Sequence, residues 1–433
     1  MIKIVGAGLA GCEAAYQLLK RGYRVTLYEM RPVKYPPAHK TDGFAELVCS
    51  NSLKSTAEDT ASGLLKAEMK TLDSLIIKAA EASRVDAGGA LAVDRAKFSA
   101  LTEQILRSYD GLTVVREEVT SLNTDEPYIY ATGPLTSDAL YKDIERKTGQ
   151  CLHFFDAAAP IVDAGTIDSG KAFFASRYGK GDADYLNLPL DKDEYEAFID
   201  NLVTAQTVKL KGFEGKEVFE GCMPVEVMAK RGRDTLRFGP LKPVGLYGPD
   251  GGRYYAVVQL RKETEKGTAY NMVGFQTNLT FAEQKRVFSM IPALKNAEFL
   301  RYGVMHRNSY LNSPSLLDAT FRLKSGGFTY FAGQFTGVEG YVESAMSGLF
   351  AALHLDRQLK SLPVLLPSEN TVSGALCRYI SSSAAGNFQP MNANFGILPS
   401  IDVKDKKLRK KHYYIRGLND IILFKEQLLK EEV

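Results

Sequence analysis

Gly6, Gly8 and Gly11, in the run Gly6-Ala7-Gly8-Leu9-Ala10-Gly11, have the spacing that lets a backbone wrap a pyrophosphate. The apolar run Ile2 to Val5 reads as a strand before them, and Cys12 to Leu19 reads as a helix after them. In that context Gly6 permits a tight turn, Gly8 lets the backbone approach phosphate, and Gly11 lets helix and strand pack closely. The residues between them, Ala7, Leu9 and Ala10, complete a helix start whose unpaired N–H groups carry partial positive charge. Gly22 closes the helix, and Arg24 to Glu29 reads as a second strand. Its last residue, Glu29, stands 18 positions beyond Gly11, where an acid bonds a ribose hydroxyl.

Two later segments favour FAD over NAD. Tyr128-Ile129-Tyr130-Ala131-Thr132-Gly133 looks like the strand ending in Ala-Thr-Gly of two-dinucleotide-fold flavoproteins. Thr329 to Gln334 runs into a glycine-rich helix start at Gly337, Gly340 and Tyr341, and looks like their C-terminal flavin motif, with Gly333 and Gln334 at the strand end. There the backbone meets ribitol and a helix N-terminus faces the ring. The fold class that follows is α/β: a Rossmann-like FAD-binding domain, discontinuous over 1–150 and 320–433, with a helical C-terminal part. Residues 151–319, where short β-like runs alternate with glycine-rich turns, read as an inserted α+β domain. Helical stretches are expected near 63–83 and 94–109, and a polar loop over 31–53.

The nucleophile candidates are cysteines. Cys49 sits in the polar loop after the second strand, and Cys222 lies among turn residues in Glu220-Gly221-Cys222-Met223-Pro224. A nearby cation or helix N-terminus would lower such a thiol's pKa, with Lys54 available for Cys49 and Arg231 or Arg233 for Cys222. Cys12, Cys151 and Cys377 read as packing residues. Five cysteines without a C-x-x-C pair argue against a disulfide scaffold, a zinc site or a dithiol centre, and for a reducing, cytoplasmic setting. No metal is expected. Nor is a membrane span, since no apolar run approaches about 18 residues. The beginning of the chain lacks the pattern of a signal peptide.

A chain of 433 residues is too long for one hydrophobic core, and 45% hydrophobic against 24% charged residues is globular composition. A net charge of +3 leaves nucleic-acid binding to local patches. One such patch is 228–262, with eight basic residues including Lys230, Arg231 and Arg233 against two acidic ones, and with Tyr247, Tyr254 and Tyr255 interleaved. That mixture suits RNA, where charges meet phosphates and rings stack on extruded bases. A second is Lys404–Lys411. Lys34 to Lys40, with His39, stands where it would line a site mouth.

Four blocks carry a family resemblance: GAGLAGCEAA from Gly6, AELVCSNSLKS around Cys49, FEGCMPVEVMA around Cys222, and FAGQFTGVEGYVESAMSGLFAA from Phe331. Together they resemble the folate- and FAD-dependent tRNA (uracil-5-)-methyltransferases, relatives of the longer GidA-type enzymes of wobble-uridine modification. Gln334, where many flavoproteins carry Asp, is similar to this group. The resemblance implies transfer of a one-carbon unit from methylenetetrahydrofolate to C5 of the T-loop uridine of tRNA, with FAD reduced by NAD(P)H. It implies that Cys49 and Cys222 are catalytic, Cys222 toward uracil and Cys49 as its partner near the flavin, with the roles open to exchange. It also brings His306, Arg307 and Asn308 toward folate. Two alternatives stay open. A GidA-type wobble-uridine modifier would need a further C-terminal helical domain, for which this length leaves no room. A generic NAD(P)H flavin oxidoreductase would carry only structural cysteines.

Overall fold

The computed structural model describes residues 1–36, 38–149, 151–179, 182–208, 223–249, 251–383, 386 and 388–431, without the side chains of 153–156, 306, 307 and 431. Cys222 therefore lies outside the described residues.

A five-stranded parallel sheet forms the first unit. Strand Ile2–Val5 is central, with Val25–Tyr28 and then Leu112–Val115 on one side, and Tyr128–Tyr130 and then Thr329–Phe331 on the other. The chain leaves the central strand in one direction and later returns to its other flank. The crevice outside the carboxyl ends of Ile2–Val5 and Tyr128–Tyr130 is thus a topological switch point, where open α/β sheets hold ligands. Helix Leu9–Lys20 and helix Tyr341–Leu359 pack together over this sheet, both almost wholly buried. Their backbones touch: a Cβ on Gly348 would lie 2.1 Å from the carbonyl oxygen of Ala10.

The second unit is a six-stranded antiparallel sheet in the spatial order Phe173–Ala175, Tyr185–Leu190, Ala256–Lys262, Ala269–Met272, Ile161–Asp163, Phe299–Arg301. It has its own core, in which Leu188, Phe198, Val258, Phe275 and Phe288 are fully buried under helices Lys192–Thr204 and Phe281–Phe288. A two-stranded antiparallel ladder, Cys151–Ala157 with Met305–Leu311, carries the chain out and back.

Two sequence expectations need adjustment. The stretch 63–83 is two helices, Ala61–Thr71 and Leu75–Ala82, parted at Asp73, whose φ of 63° no helix accepts. The polar loop expected to Leu53 ends earlier: Ser52–Ser55 pairs with Ala90–Val93, which pairs with Arg84–Val85. Residues 94–109 do form a helix, Arg95–Arg107, capped by the Asp94 carboxylate, which accepts from the N–H groups of Ala96 and Lys97.

Candidate active site

The glycine turn opens a cleft at the switch point, with about 960 Å³ of unfilled space counted out to its mouth. Gly6 has φ 101°, and a Cβ there would lie 2.5 Å from the carbonyl oxygen of Ala131; a Cβ on Gly11 would lie 1.8 Å from that of Gly6. Protein packing therefore demands both glycines. Gly8 differs, because a Cβ there would meet no protein atom within 4 Å. It faces the cleft, and keeps backbone clear where a phosphate would approach. Leu9 and Ala10 line the same wall.

Glu29 lines the cleft from the end of its strand. It accepts from the N–H of Ala7 at 3.0 Å and from the N–H and Nε of Arg31 at 3.1 and 2.8 Å. Burial alone would push its carboxyl up, but the Arg31 guanidinium outweighs burial and holds it below the usual range. The ionised carboxylate retains accepting capacity for a diol. Arg31, itself paired with Glu46 at 2.7 Å, is a site residue that sequence spacing did not single out. Ala131, Thr132 and Gly133 form the opposite wall, and Gly333, Gln334 and Tyr341 close one end. His39 also lines the cleft, whereas Lys34 is paired with Glu118. Gly337 and Gly340 stand behind it: Gly337 at φ 85° sits under the Phe388 ring, and Gly340 at φ 125° lies beside Lys54 and Glu343. These walls fit an extended dinucleotide such as FAD.

Cys49 meets this cleft through Tyr341. The phenol oxygen lies 3.0 Å from Cys49 Sγ, and accepts the N–H groups of Cys49 and Ser50 at 2.9 and 3.2 Å. Two N–H donors use its two lone pairs, so its own hydrogen points to sulfur and the sulfur accepts. Burial pushes the phenol well above its ordinary pKa, so it keeps that hydrogen.

Three arginines grip the loop. Arg95 donates to the carbonyl of Leu47 at 2.8 Å, Arg301 donates to that of Val48, and Arg261 donates to Ser50 Oγ and Asn51 Oδ1, each at 2.8 Å. The carboxylate facing them is Glu263, 2.9 Å from Arg95. Burial pulls the pKa of Arg261 and Arg301 down, and the neighbouring Arg95 charge adds to it. Among the described residues this cluster sets three cations against one such anion, which favours a thiolate beside it. Lys54, the cation that the sequence offered, pairs with Glu343 at 2.9 Å.

The other candidates scatter. Cys12 and Cys377 are fully buried, with burial pushing the first thiol up and the second to about 12; burial likewise raises Cys151 to about 12. Beyond Cys222, Met223 and Pro224 are buried and lead into helix Val225–Lys230. His306 and Arg307 lie on the inter-unit ladder, in register with Asp156 and Phe155, and Asn308 is buried there. Lys230 and Arg231 are exposed, but Arg233 pairs with Asp200 at 2.6 Å and with Glu196 at 3.3 Å. Of the three interleaved tyrosines only Tyr247 is exposed; Tyr254 stacks on Phe173, and Tyr255 lies under Arg237. Lys404–Lys411 leads into the exposed start of helix Lys406–Glu431.

A parallel sheet whose switch-point cleft is walled by glycines, an acid at a strand end and a second helix start defines a dinucleotide-binding protein of the flavoprotein type. The chain belongs to the family described as Glucose inhibited division protein A, matched over residues 1–363. It is 56% identical over 414 residues to "Methylenetetrahydrofolate--tRNA-(uracil-5-)-methyltransferase TrmFO" of Acetivibrio thermocellus, covering 95% of each chain. It is 53% identical to the protein of that name from Lactobacillus gasseri, over 98% of each. Among solved structures it is similar to Aquifex aeolicus GidA, with a TM-score of 0.68 and 14% identity over 99% of this chain and 75% of that one, a likeness of fold. Among the described residues no helix is long and apolar enough to cross a membrane, and no acid, histidine and cysteine cluster could hold a metal.

Proposed function

We propose that this protein is a methylenetetrahydrofolate–tRNA-(uracil-5-)-methyltransferase of the cytoplasm, using FAD and NAD(P)H to form 5-methyluridine in the tRNA T loop. The observation that carries the reading is the Tyr341 bridge, which joins the dinucleotide cleft to a thiol held among cations. The names borne by relatives above 50% identity support it. In this reading 1–150 with 320–433 binds FAD, and 151–319 is the inserted tRNA and folate unit.

The glycine turn and Glu29 would hold the FAD pyrophosphate and ribose, and the Thr132 and Gly333 walls would hold the remainder; reduced FAD supplies the hydride that completes the methyl group. Uracil C5 is a weak nucleophile. A thiolate that adds at C6 makes the ring an enolate, whose C5 attacks the one-carbon unit of methylenetetrahydrofolate. A base then takes the C5 proton, the bond from the one-carbon unit to the folate nitrogen breaks as tetrahydrofolate leaves, and, once hydride has completed the methyl group, elimination breaks the C6–S bond and returns the thiolate. Cys222 takes the bond to C6 and Cys49 serves as its partner at the cleft; the two roles are open to exchange. Arg95, Arg261 and Arg301 keep the Cys49 loop in place and favour its thiolate, and the Tyr341 hydroxyl orients the sulfur.

The test incubates the purified FAD-loaded protein with unmodified tRNA transcript, NADPH and methylene-labelled methylenetetrahydrofolate, then digests the RNA. Label is expected in 5-methyluridine, and each of Cys49→Ala and Cys222→Ala should abolish it while flavin absorbance remains. Label in no nucleoside would sink the reading.

A further inference from the structure

Away from the cleft, the second unit holds an exposed tyrosine in a strained backbone. Tyr178 has φ 61° and ψ 23°, the left-handed region that a bulky residue rarely adopts. Two contacts keep it there. Its N–H donates to the carbonyl of Gly245 at 2.8 Å, and its ring packs against Gly245, where a Cβ would come within 2.7 Å of two ring carbons. Despite this anchoring the ring is 57% exposed, and the same Gly245 turn shows Val244 at 55% and Tyr247 at 55%. Strain retained to display an aromatic face points to a ligand rather than to packing.

Beneath the turn lies a positive charge. Arg177, half-buried, donates to the carbonyls of Lys242 and Val244 at 2.7 and 2.6 Å and to Gln259 Oε1 at 3.0 Å. Among the described residues it forms no ion pair with a carboxylate. Burial pulls its pKa down. A desolvated cation under exposed rings suits an anionic chain that carries flat bases.

The patch is also tied to the Cys49 loop. Gln259, which Arg177 holds, stands two residues before Arg261 on one strand and on the same face, about 7 Å along it, and Arg261 holds Ser50 and Asn51.

We propose that Tyr178, Tyr247 and the Gly245 turn form a stacking platform for unpaired nucleotides of the RNA substrate next to the extruded uridine. This rests on the proposed function and adds how that RNA is held. Stacking is tolerant of base identity, so the platform would distinguish a single-stranded loop from a duplex rather than read sequence.

The test uses the full-length FAD-loaded protein and two labelled RNAs: a hairpin with the target uridine in its loop, and a blunt duplex of the same stem, titrated at fixed salt by fluorescence anisotropy. Tyr178→Asn removes the ring while tolerating the left-handed backbone, and Tyr247→Ser removes the second ring. The double variant is expected to bind the hairpin at least tenfold more weakly and the duplex within twofold of wild type. Its slope of log Kd against log salt should not change, because no charge is lost. Tyr178→Phe should stay within twofold for both RNAs. Tyr247→Ser alone leaves the strained turn intact and should lose about threefold on the hairpin. Retention of FAD absorbance reports an intact fold. A double variant that keeps its flavin and binds the hairpin like wild type overturns the platform and assigns the patch to a protein partner. Equal weakening toward hairpin and duplex overturns it as well. Wild-type protein that neither binds the hairpin nor labels its uridine would instead overturn the proposed function, and this inference with it.

Discussion

The two sides of the candidate active site are built from different materials. One side is backbone: glycines at the carboxyl ends of parallel strands, placed so closely that single added carbons would collide with carbonyl oxygens at Gly6 and Gly11. The other is side chain: a loop around Cys49 gripped by Arg95, Arg261 and Arg301, two of which come from the antiparallel sheet. The first is rigid because sterics forbid alternatives. The second is held by charge, so it is tunable and depends on how the two units sit together. Shape would govern cofactor retention, and charge would govern thiol chemistry.

The sharpest way to break this contrast is to alter the two glycines that look alike in sequence. Gly11→Ala puts a carbon 1.8 Å from the Gly6 carbonyl oxygen, so helix and strand must separate. A loss of about 3 kcal/mol or more in stability is expected from such overpacking, read as a lowered unfolding midpoint even without FAD. Gly8→Ala meets no protein atom and should leave the FAD-free fold within about 0.5 kcal/mol, while FAD affinity falls at least tenfold. If Gly8→Ala retained FAD normally, the cleft would not be the pyrophosphate site.

Acid should act on the backbone side first. His354 is buried in helix Tyr341–Leu359, where its Nε2 donates to the carbonyl of Leu365 at 3.0 Å. Burial, with Arg357 adding to it and Asp318 opposing it, lowers its pKa to about 4. The unfolded chain protonates this imidazole near its ordinary value of about 6.5. Between those values this imidazole binds more protons in the unfolded chain, so its contribution to stability falls as pH falls through that window, by up to about 3 kcal/mol, while buried Glu68, raised to about 7, pulls the other way. Urea unfolding at pH 7 and pH 4.5 measures it, and His354→Gln should show a shallower decline. Equal declines in the two proteins would remove His354 from the account.

The same contrast explains what could be read from the sequence. Gly6, Glu29, Thr132, Gly133 and Gly333 lie at strand ends, and Gly8 and Gly11 open the helix after the first strand; such junctions are legible because period and spacing are local. The four sequence blocks likewise carried the family. Arg95, Arg261 and Arg301 were not legible as a group, since nothing local relates positions so far apart. Only Arg261 falls in a basic stretch, 228–262, which reads as an RNA patch. The structure instead buries Arg261 against the Cys49 loop. Lys54, offered by its nearness along the chain, is shared with a partner that sequence distance hides, Glu343.

Charge on the thiol side can be reduced without touching the glycines. Arg301→Met keeps most of the aliphatic volume and removes one of the three guanidiniums. If the cluster sustains a thiolate, alkylation of Cys49 by iodoacetamide at neutral pH, followed by peptide mass spectrometry, should slow about tenfold, equivalent to about 1.4 kcal/mol. FAD retention should stay unchanged, because Arg301 does not line the cleft. Unchanged alkylation would reduce the arginines to structural clamps.

The smallest expected effect falls where the two sides meet. Tyr341→Phe keeps the ring that lines the cleft and removes only the hydroxyl, which gives its hydrogen to Cys49 Sγ and accepts the N–H groups of Cys49 and Ser50. Losing a donor to a thiolate raises the thiol's pKa, while losing an acceptor leaves two N–H groups to find water at a cost of about 1 kcal/mol. Both effects act on the loop, so Cys49 alkylation at neutral pH should slow about threefold to fivefold while FAD stays bound. The pH profile separates them: a displaced sulfur slows alkylation equally at every pH, whereas a destabilised thiolate recovers its full rate in alkali. Recovery in alkali would make the hydroxyl an electrostatic partner of the sulfur, and a uniform loss would make it a spacer that only holds the loop against the cleft.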